Sequence, residues 1–293
     1  MTERAASSTA VLVCQGRAVA DGRYAVGTFS DPVASHLLDP DERALVEAAR
    51  SGTPPADGRR RMAYELLWRT GILMVPRTVA IDAAVREHGA TQVVVLGAGL
   101  DARAWRMPEL AGATVVEVDH PASQRDKQRR LGARTPTARA VLPVPVDLSH
   151  ERLAPALDRA GFDRAVETTW VWEGVVPYLT PDAVRATVAQ VGELSAPGSR
   201  LVVNYQSRSL TATVMRRVMR LVLRLTRQPD PLAGEPWRST WTPTSMRTML
   251  SDSGFDTISD DDLLTLASGL GLPPDGDSSL RNGRLALAVR RSG

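Results

Sequence analysis

The stretch Val93-Val94-Val95-Leu96-Gly97-Ala98-Gly99-Leu100-Asp101-Ala102-Arg103 constrains the fold more than any other part of this 293-residue chain. Four consecutive apolar residues, three of them β-branched, predict a strand buried on both faces, the habit of parallel sheets. The Gly-x-Gly that follows predicts a tight turn where backbone can come close to a ligand, because glycine has no Cβ. A second strand, Ala113-Thr114-Val115-Val116-Glu117-Val118-Asp119, closes on acidic residues. An acid about 20 residues past the glycines is where a doubly wound sheet grips a nucleotide ribose.

Beyond residue 91, apolar runs alternate with helical stretches. Strands are predicted at 92–96, 114–119, 140–146, 163–171 and 199–205, with helices clearest at 122–131 and 181–195. Such alternation predicts an α/β fold with a parallel sheet covered on both faces. A helix near 243–253 and a last strand over 284–290 close the pattern. Residues 1–90 read as helices and loops: a helix over 42–50 capped by Asp41, then helices over 60–68 and 78–87, with a Pro/Gly-rich loop at 51–58. The expected organisation is a helical region, 1–90, that completes a ligand site on a core, 91–293. Residues 207–240 interrupt the core's rhythm with an apolar stripe set among arginines, then a proline-rich loop. They follow the fifth strand, beyond the carboxyl ends of the sheet, and are expected to form a helical lid over a substrate. A basic amphipathic helix on a membrane surface is the rival reading.

Composition removes several classes. Cys14 is the only cysteine, so an intrachain disulfide and a cysteine metal cluster are excluded. Its place after Val11-Leu12-Val13 suits a buried thiol. No stretch has the length and purity of a membrane span, and the first residues carry no signal-peptide pattern. A soluble cytoplasmic protein without stable membrane association is expected, and no metal. Net charge is +3, and arginine replaces lysine everywhere except Lys127. That bias strips clusters such as Arg59-Arg60-Arg61 of meaning as nucleic-acid signals, and no aromatic residues interleave them. No nucleic-acid partner is expected.

The glycine turn has two ligand readings. Gly97 to Ala102 fits G-x-G-x-x-G/A, the pattern of a nicotinamide or flavin dinucleotide site. S-adenosylmethionine sites share the glycine turn and the acid after strand two. Two features favour the second reading. About ninety residues precede the strand, whereas dinucleotide domains often begin near the chain start. Asp101, inside the turn, would repel a pyrophosphate but suits an ammonium.

Several blocks of the sequence then align with one family. Gly97-Ala-Gly-Leu-Asp-Ala-Arg-Ala-Trp-Arg106 resembles the GAGxDxRxxRL block of the leucine carboxyl methyltransferases. Glu117-Val-Asp-His-Pro121, Val144-Pro-Val-Asp-Leu148 and Trp172-Glu-Gly-Val-Val-Pro-Tyr-Leu179 are similar to its later blocks, and Gly71 to Asp82 to its N-terminal arginine block. The blocks fall in the family's order over roughly residues 10–290, and the small-molecule actinobacterial branch, which includes polyketide carboxyl O-methyltransferases, is the nearest in character. The resemblance implies a class I methyltransferase fold, a Rossmann-like doubly wound sheet that uses S-adenosyl-L-methionine. It implies that Arg77 grips the methionine carboxylate, with Arg17 as a second basic group there. Gly97 and Gly99 admit the methionine part, Asp101 lies beside them, Asp119 holds the ribose, Asp147 and the backbone of Leu148 read the adenine, and Glu173 faces the ammonium.

Competing local roles exist for some of these residues. Arg77 could pair with Asp82 on its own helix, Asp147 could cap the following helix, and Glu117 competes with Asp119 for the ribose. Methyl transfer to a carboxylate needs no base, since that group is ionised near neutral pH. A phenol or alcohol acceptor would need one, and none of His36, His88, His120 and His150 stands out as such. The expected partner is therefore a small carboxylate-bearing acceptor, touched by Tyr178, with arginines of the 207–240 segment as candidates to pair with its charge. The rival functions are an NAD(P)-dependent oxidoreductase and a cofactor-binding protein without turnover.

Overall fold

The computed structural model describes residues 7–207, 237–272 and 278–292. Within them lies a seven-stranded sheet of order β3-β2-β1-β4-β5-β7-β6. The strands are β1 (Gln92–Leu96), β2 (Thr114–Asp119), β3 (Ala140–Pro145), β4 (Thr168–Trp172), β5 (Arg200–Gln206), β6 (Phe255–Asp262) and β7 (Gly283–Arg290). β1 to β5 pair in parallel, while β7 runs antiparallel to both β5 and β6. The order reverses between β1 and β4, and the crevice beyond the carboxyl ends of strands at such a point is where open α/β sheets bind ligands.

Successive side chains of a strand face opposite ways, and both faces here are apolar. Val94, Leu96, Val116, Trp170 and Trp172 pack with Leu157 of α6 (Leu153–Arg159), Val184 and Val188 of α7 (Pro181–Leu194) and Leu250 of α8 (Pro243–Asp252). Val93, Val95, Val115 and Val171 face the other way, against Ile81, Ala84 and Val85 of α3 (Gly58–His88). A third cluster joins Cys14 and Ala18 of α1 (Ser8–Ala20) and Val46 of α2 (Pro40–Arg50) to Leu100 and Ala102. The N-terminal helices thus lie directly on the turn that follows β1. Cys14 is buried within that cluster, and burial pushes its thiol up to about 12.

Four local expectations change. The helices expected over 60–68 and 78–87 are one, α3, which runs straight through Pro76. An interior proline costs about 3 kcal/mol. Ile72, Met74, Val75 and Ile81 are buried around it, each worth about 1.5–3 kcal/mol, and this offsets the loss. α2 begins earlier than Asp41, with Asp39 as its N-cap and Pro40 in the first turn. β4 starts at Thr168 rather than 163, because the Gln92 amide holds the backbone of Asp163 in a loop. β6 was not among the expected strands: its run Asp260-Asp261-Asp262 is acidic, and Asp260 is paired by Arg284 of the neighbouring strand.

Of the segment expected to form a lid, 208–236 lies outside the described residues. Its two described flanks meet, for Ser207 and Trp241 form a parallel bridge beside the end of β5. Among the described residues no helix is long and apolar enough to cross a membrane.

Candidate active site

The carboxyl ends of β1, β2, β3 and β4 open into a cavity of about 700 Å³, within the usual range for small-molecule sites. All ten residues singled out from the sequence line it: Arg17, Arg77, Gly97, Gly99 and Asp101; Asp119, Asp147, Leu148, Glu173 and Tyr178. Ser7 to Ala10 at the start of α1 and His150, to which sequence reasoning gave no place there, line it too, as do His120, expected beside the donor rather than the acceptor, and Arg238, one of the arginines of the 207–240 segment.

The floor is the turn after β1. The amides of Gly97 and Ala98 both donate to the Val118 carbonyl, at 2.7 and 3.1 Å, which ties the turn to β2. Gly97 has φ +68°, and a Cβ there would sit 2.3 Å from Val175 Cγ2. The position therefore requires glycine twice over, for its backbone conformation and for the approach of the turn after β4.

Asp119 ends β2. Its two oxygens accept from the backbone amides of Gly99 and His120, which leaves lone pairs on both for a ligand. Burial raises its pKa, and those two amide bonds only partly offset the rise. Glu117 is buried elsewhere, bound by Lys127 Nζ at 2.7 Å, with that ammonium 4.9 Å from the Trp105 ring centroid. The two acids that competed for one role are thereby separated: Asp119 lines the cavity and Glu117 does not. Asp147 does not cap a helix. Its Oδ1 accepts from Ser149 N at 2.9 Å in a local turn, and α6 begins only at Leu153.

Behind the turn lies a network that single-residue reading did not reach. Glu173, one residue past β4, receives Arg77 Nε at 2.7 Å and Arg103 Nη1 at 2.8 Å. Arg103 also binds Asp82 Oδ1 at 2.7 Å and pairs with Asp101. Arg106 joins Asp82, at 2.7 Å, to Asp31, at 3.6 Å, and Asp31 binds Arg17 Nε at 2.8 Å. Four arginines face four carboxylates, and no side chain of the eight is more than 12% exposed. Arg77 thus reaches Glu173 across the fold rather than Asp82 on its own helix. Burial alone would push the Glu173 pKa up, but Arg77, Arg103 and Arg17 outweigh it and hold the carboxyl far below its ordinary range. Asp101 is lowered likewise: burial is outweighed by Arg103 and Lys127. Both Asp101 oxygens are engaged by Arg103, one by its amide and one by its guanidinium. Arg103 and Arg106 stand inside the GAGxDxRxxRL-like block, and that block was the signal through which they could have been found.

The cavity thus presents an ion-paired end at Arg77 and Glu173, a carboxylate midway at Asp119, and a polar turn at Asp147. A zwitterionic amino acid joined to a nucleoside has this sequence of groups. Among the described residues no cluster of three or more His, Cys, Asp or Glu side chains is placed to hold a metal ion.

Five parallel strands followed by an antiparallel hairpin, covered on both faces, with a glycine turn after β1 and an acid at the end of β2, make this the class I methyltransferase fold. A Thermobifida fusca protein assigned as a methyltransferase matches with a TM-score of 0.57 at 19% identity, over 99% of this chain and 97% of that one. A DUF574-family protein of Streptomyces avermitilis matches with a TM-score of 0.55 at 15% identity, over 94% and 96%. The profile of the leucine carboxyl methyltransferase family matches residues 10–192, and the chain belongs to that family. A Mycobacterium tuberculosis protein assigned as an S-adenosyl-L-methionine-dependent methyltransferase is 40% identical over 210 residues. That alignment takes in 66% of this chain and 64% of the relative's length. The dinucleotide reading of the glycine turn gives way to the methyl donor.

Proposed function

We propose that the protein is an S-adenosyl-L-methionine-dependent O-methyltransferase that esterifies a small carboxylate-bearing acceptor in secondary metabolism. Arg77 would hold the donor's carboxylate, with Arg17 behind it, and Glu173 its ammonium. Gly97 and Gly99 would admit the methionine chain, Asp119 would accept from the ribose hydroxyls, and Asp147 with Leu148 would meet the adenine. When bound, the donor supplies an electrophilic methyl group on a sulfonium. The protein's part is to align an acceptor oxygen with that group and to keep water out.

One observation carries the choice of acceptor. Both histidines of the cavity belong to its nucleoside side, after β2 and β3, and His120 Nδ1 is occupied in accepting from Ala122 N at 3.2 Å. The opposite wall, made by the turn after β4 and by Arg238, offers a phenol and a guanidinium. Such a wall suits an acceptor that arrives already ionised.

Methyl-labelled donor and a metabolite extract split on an anion exchanger test this reading. Label is expected in the retained pool, as base-labile methyl esters. Label confined to the unretained pool would overturn the carboxylate acceptor. Donor binding without any transfer would leave a binding protein without turnover.

The nucleoside end has its own test. Only ionised Asp119 can accept from both ribose hydroxyls, and burial raises its pKa from the ordinary carboxylate value. Affinity for S-adenosylhomocysteine is therefore complete above that raised pKa and falls, by up to tenfold per pH unit, below it. Calorimetry from pH 7 downward, over the range in which the protein stays folded, should show the fall in the wild type and a flatter profile in Asp119→Asn. Identical profiles would take Asp119 away from the ribose.

A further inference from the structure

We infer that Arg238, which lines the cavity together with Tyr178, is the residue that recognises the acceptor's carboxylate. This rests on the carboxylate reading above and names the group that enforces it.

The short turn Val176–Tyr178 and the segment that begins at Arg238 are fastened to each other. Arg238 N donates to Pro177 O at 2.6 Å, and Ser239 Oγ donates to Val176 O at 2.8 Å. Trp241 N donates to Gln206 O at 2.9 Å, and Arg185 lies 5.4 Å from the centroid of the Trp241 ring. Ser239 and Trp241 are buried, whereas Arg238 is exposed. The backbone of Arg238 is therefore held one residue from Tyr178 while its side chain stays free to meet a ligand, and both residues line the cavity.

Charge balance gives that side chain its task. Arg17 is matched by Asp31, Arg77 by Glu173, and Asp101 by Arg103. Asp119 and Asp147 are held by backbone amides. Among the described residues the guanidinium of Arg238 and the hydroxyl of Tyr178 have no hydrogen-bond or ion-pair partner. A planar cation and a neutral donor on adjoining turns fit a carboxylate, which arginine binds in matched geometry. A carboxylate has about four acceptor sites on its two oxygens, so holding it leaves a lone pair for attack.

The acceptor oxygen forms the new O–C bond to the methyl carbon. The C–S bond breaks, its electron pair passes to sulfur, and no proton is released. Anion and sulfonium become a neutral ester and a neutral thioether. The ion pair with Arg238 disappears as the reaction occurs, and the product loses its hold on the wall.

The test uses Arg238→Ala and Arg238→Lys with the anion-exchange-retained pool of a metabolite extract at graded dilution. S-adenosylhomocysteine affinity serves as the control for an intact donor site. In Arg238→Ala the amount of pool giving half-maximal transfer is expected to rise at least tenfold, with the maximal rate within threefold and the control unchanged. Arg238→Lys should recover part of the loss. A dilution curve unchanged in Arg238→Ala would overturn the assignment while leaving the carboxylate reading intact. Wild-type transfer only from the unretained pool would overturn that reading, and the assignment with it.

Discussion

Arg103→Ala is expected to destabilise the protein by about 3–5 kcal/mol, the typical cost of removing one partner from a buried ion pair. Arg103 is 3% exposed and touches Asp82, Asp101 and Glu173 at once. Without it, Glu173 keeps Arg77 and Asp82 keeps Arg106, but Asp101 keeps no direct ion-pair partner among the described residues. One buried negative charge is then uncompensated. The folded-state pKa values of Asp101 and Glu173 are depressed. Their contribution to stability is therefore present above the unfolded-state carboxylate range and lost as pH falls through the depressed values. In Arg103→Ala the depression is relieved, so the gap between variant and wild type should narrow between pH 7 and about pH 4.5, where a carboxyl can take up a proton. Urea unfolding of both proteins at the two pH values measures this. Arg103→Lys should fall between them, since a point charge cannot serve three carboxylates as a planar fork does. Wild-type stability in Arg103→Ala would mean that the network contributes nothing.

Arg77→Ala should behave differently, although the residue belongs to the same network. Its removal leaves Glu173 still bound by Arg103 at 2.8 Å, so the loss of stability should be smaller than for Arg103→Ala. The donor's carboxylate, by contrast, would lose its guanidinium partner. Affinity for S-adenosylhomocysteine should weaken by about 2–3 kcal/mol, which is roughly 30- to 140-fold. Arg77→Lys should restore only part of it. Calorimetry on the folded variants, beside their melting temperatures, separates the two arginines: one chiefly builds the site and the other chiefly binds. Full affinity in folded Arg77→Ala would place the carboxylate elsewhere.

Parallel strands and the glycine turn were legible because their causes are local. Val93 to Leu96 and Val115 to Val118 are apolar over consecutive residues, as strands covered on both faces must be, and the boundaries expected for β1 and β2 are those observed. The ordered blocks brought Arg77, Asp119 and Glu173 forward before any coordinates did. What escaped has causes that are far apart in the chain. β6 carries three consecutive acids, and Asp260 is tolerable there because Arg284 of β7 and the Tyr205 hydroxyl of β5 both bind it. Proline punctuates a helix in sequence, yet α3 crosses Pro76 because neighbours on both sides are buried by other elements.

The sequence by itself determined a doubly wound sheet, its ligand edge and the residue types at that edge, since apolar periodicity and turn chemistry act between residues close in the chain. Only the tertiary structure decided which charges face which. Arg77 meets Glu173 across 96 positions and Arg17 meets the Leu100 carbonyl across 83. Arg238 is brought to the turn of Tyr178 by its own amide and that of Ser239, both donating to the Pro177 carbonyl, and by Ser239 Oγ donating to Val176 O. Coulomb attraction and desolvation depend on distance in space and on burial, and neither is written in the order of the residues.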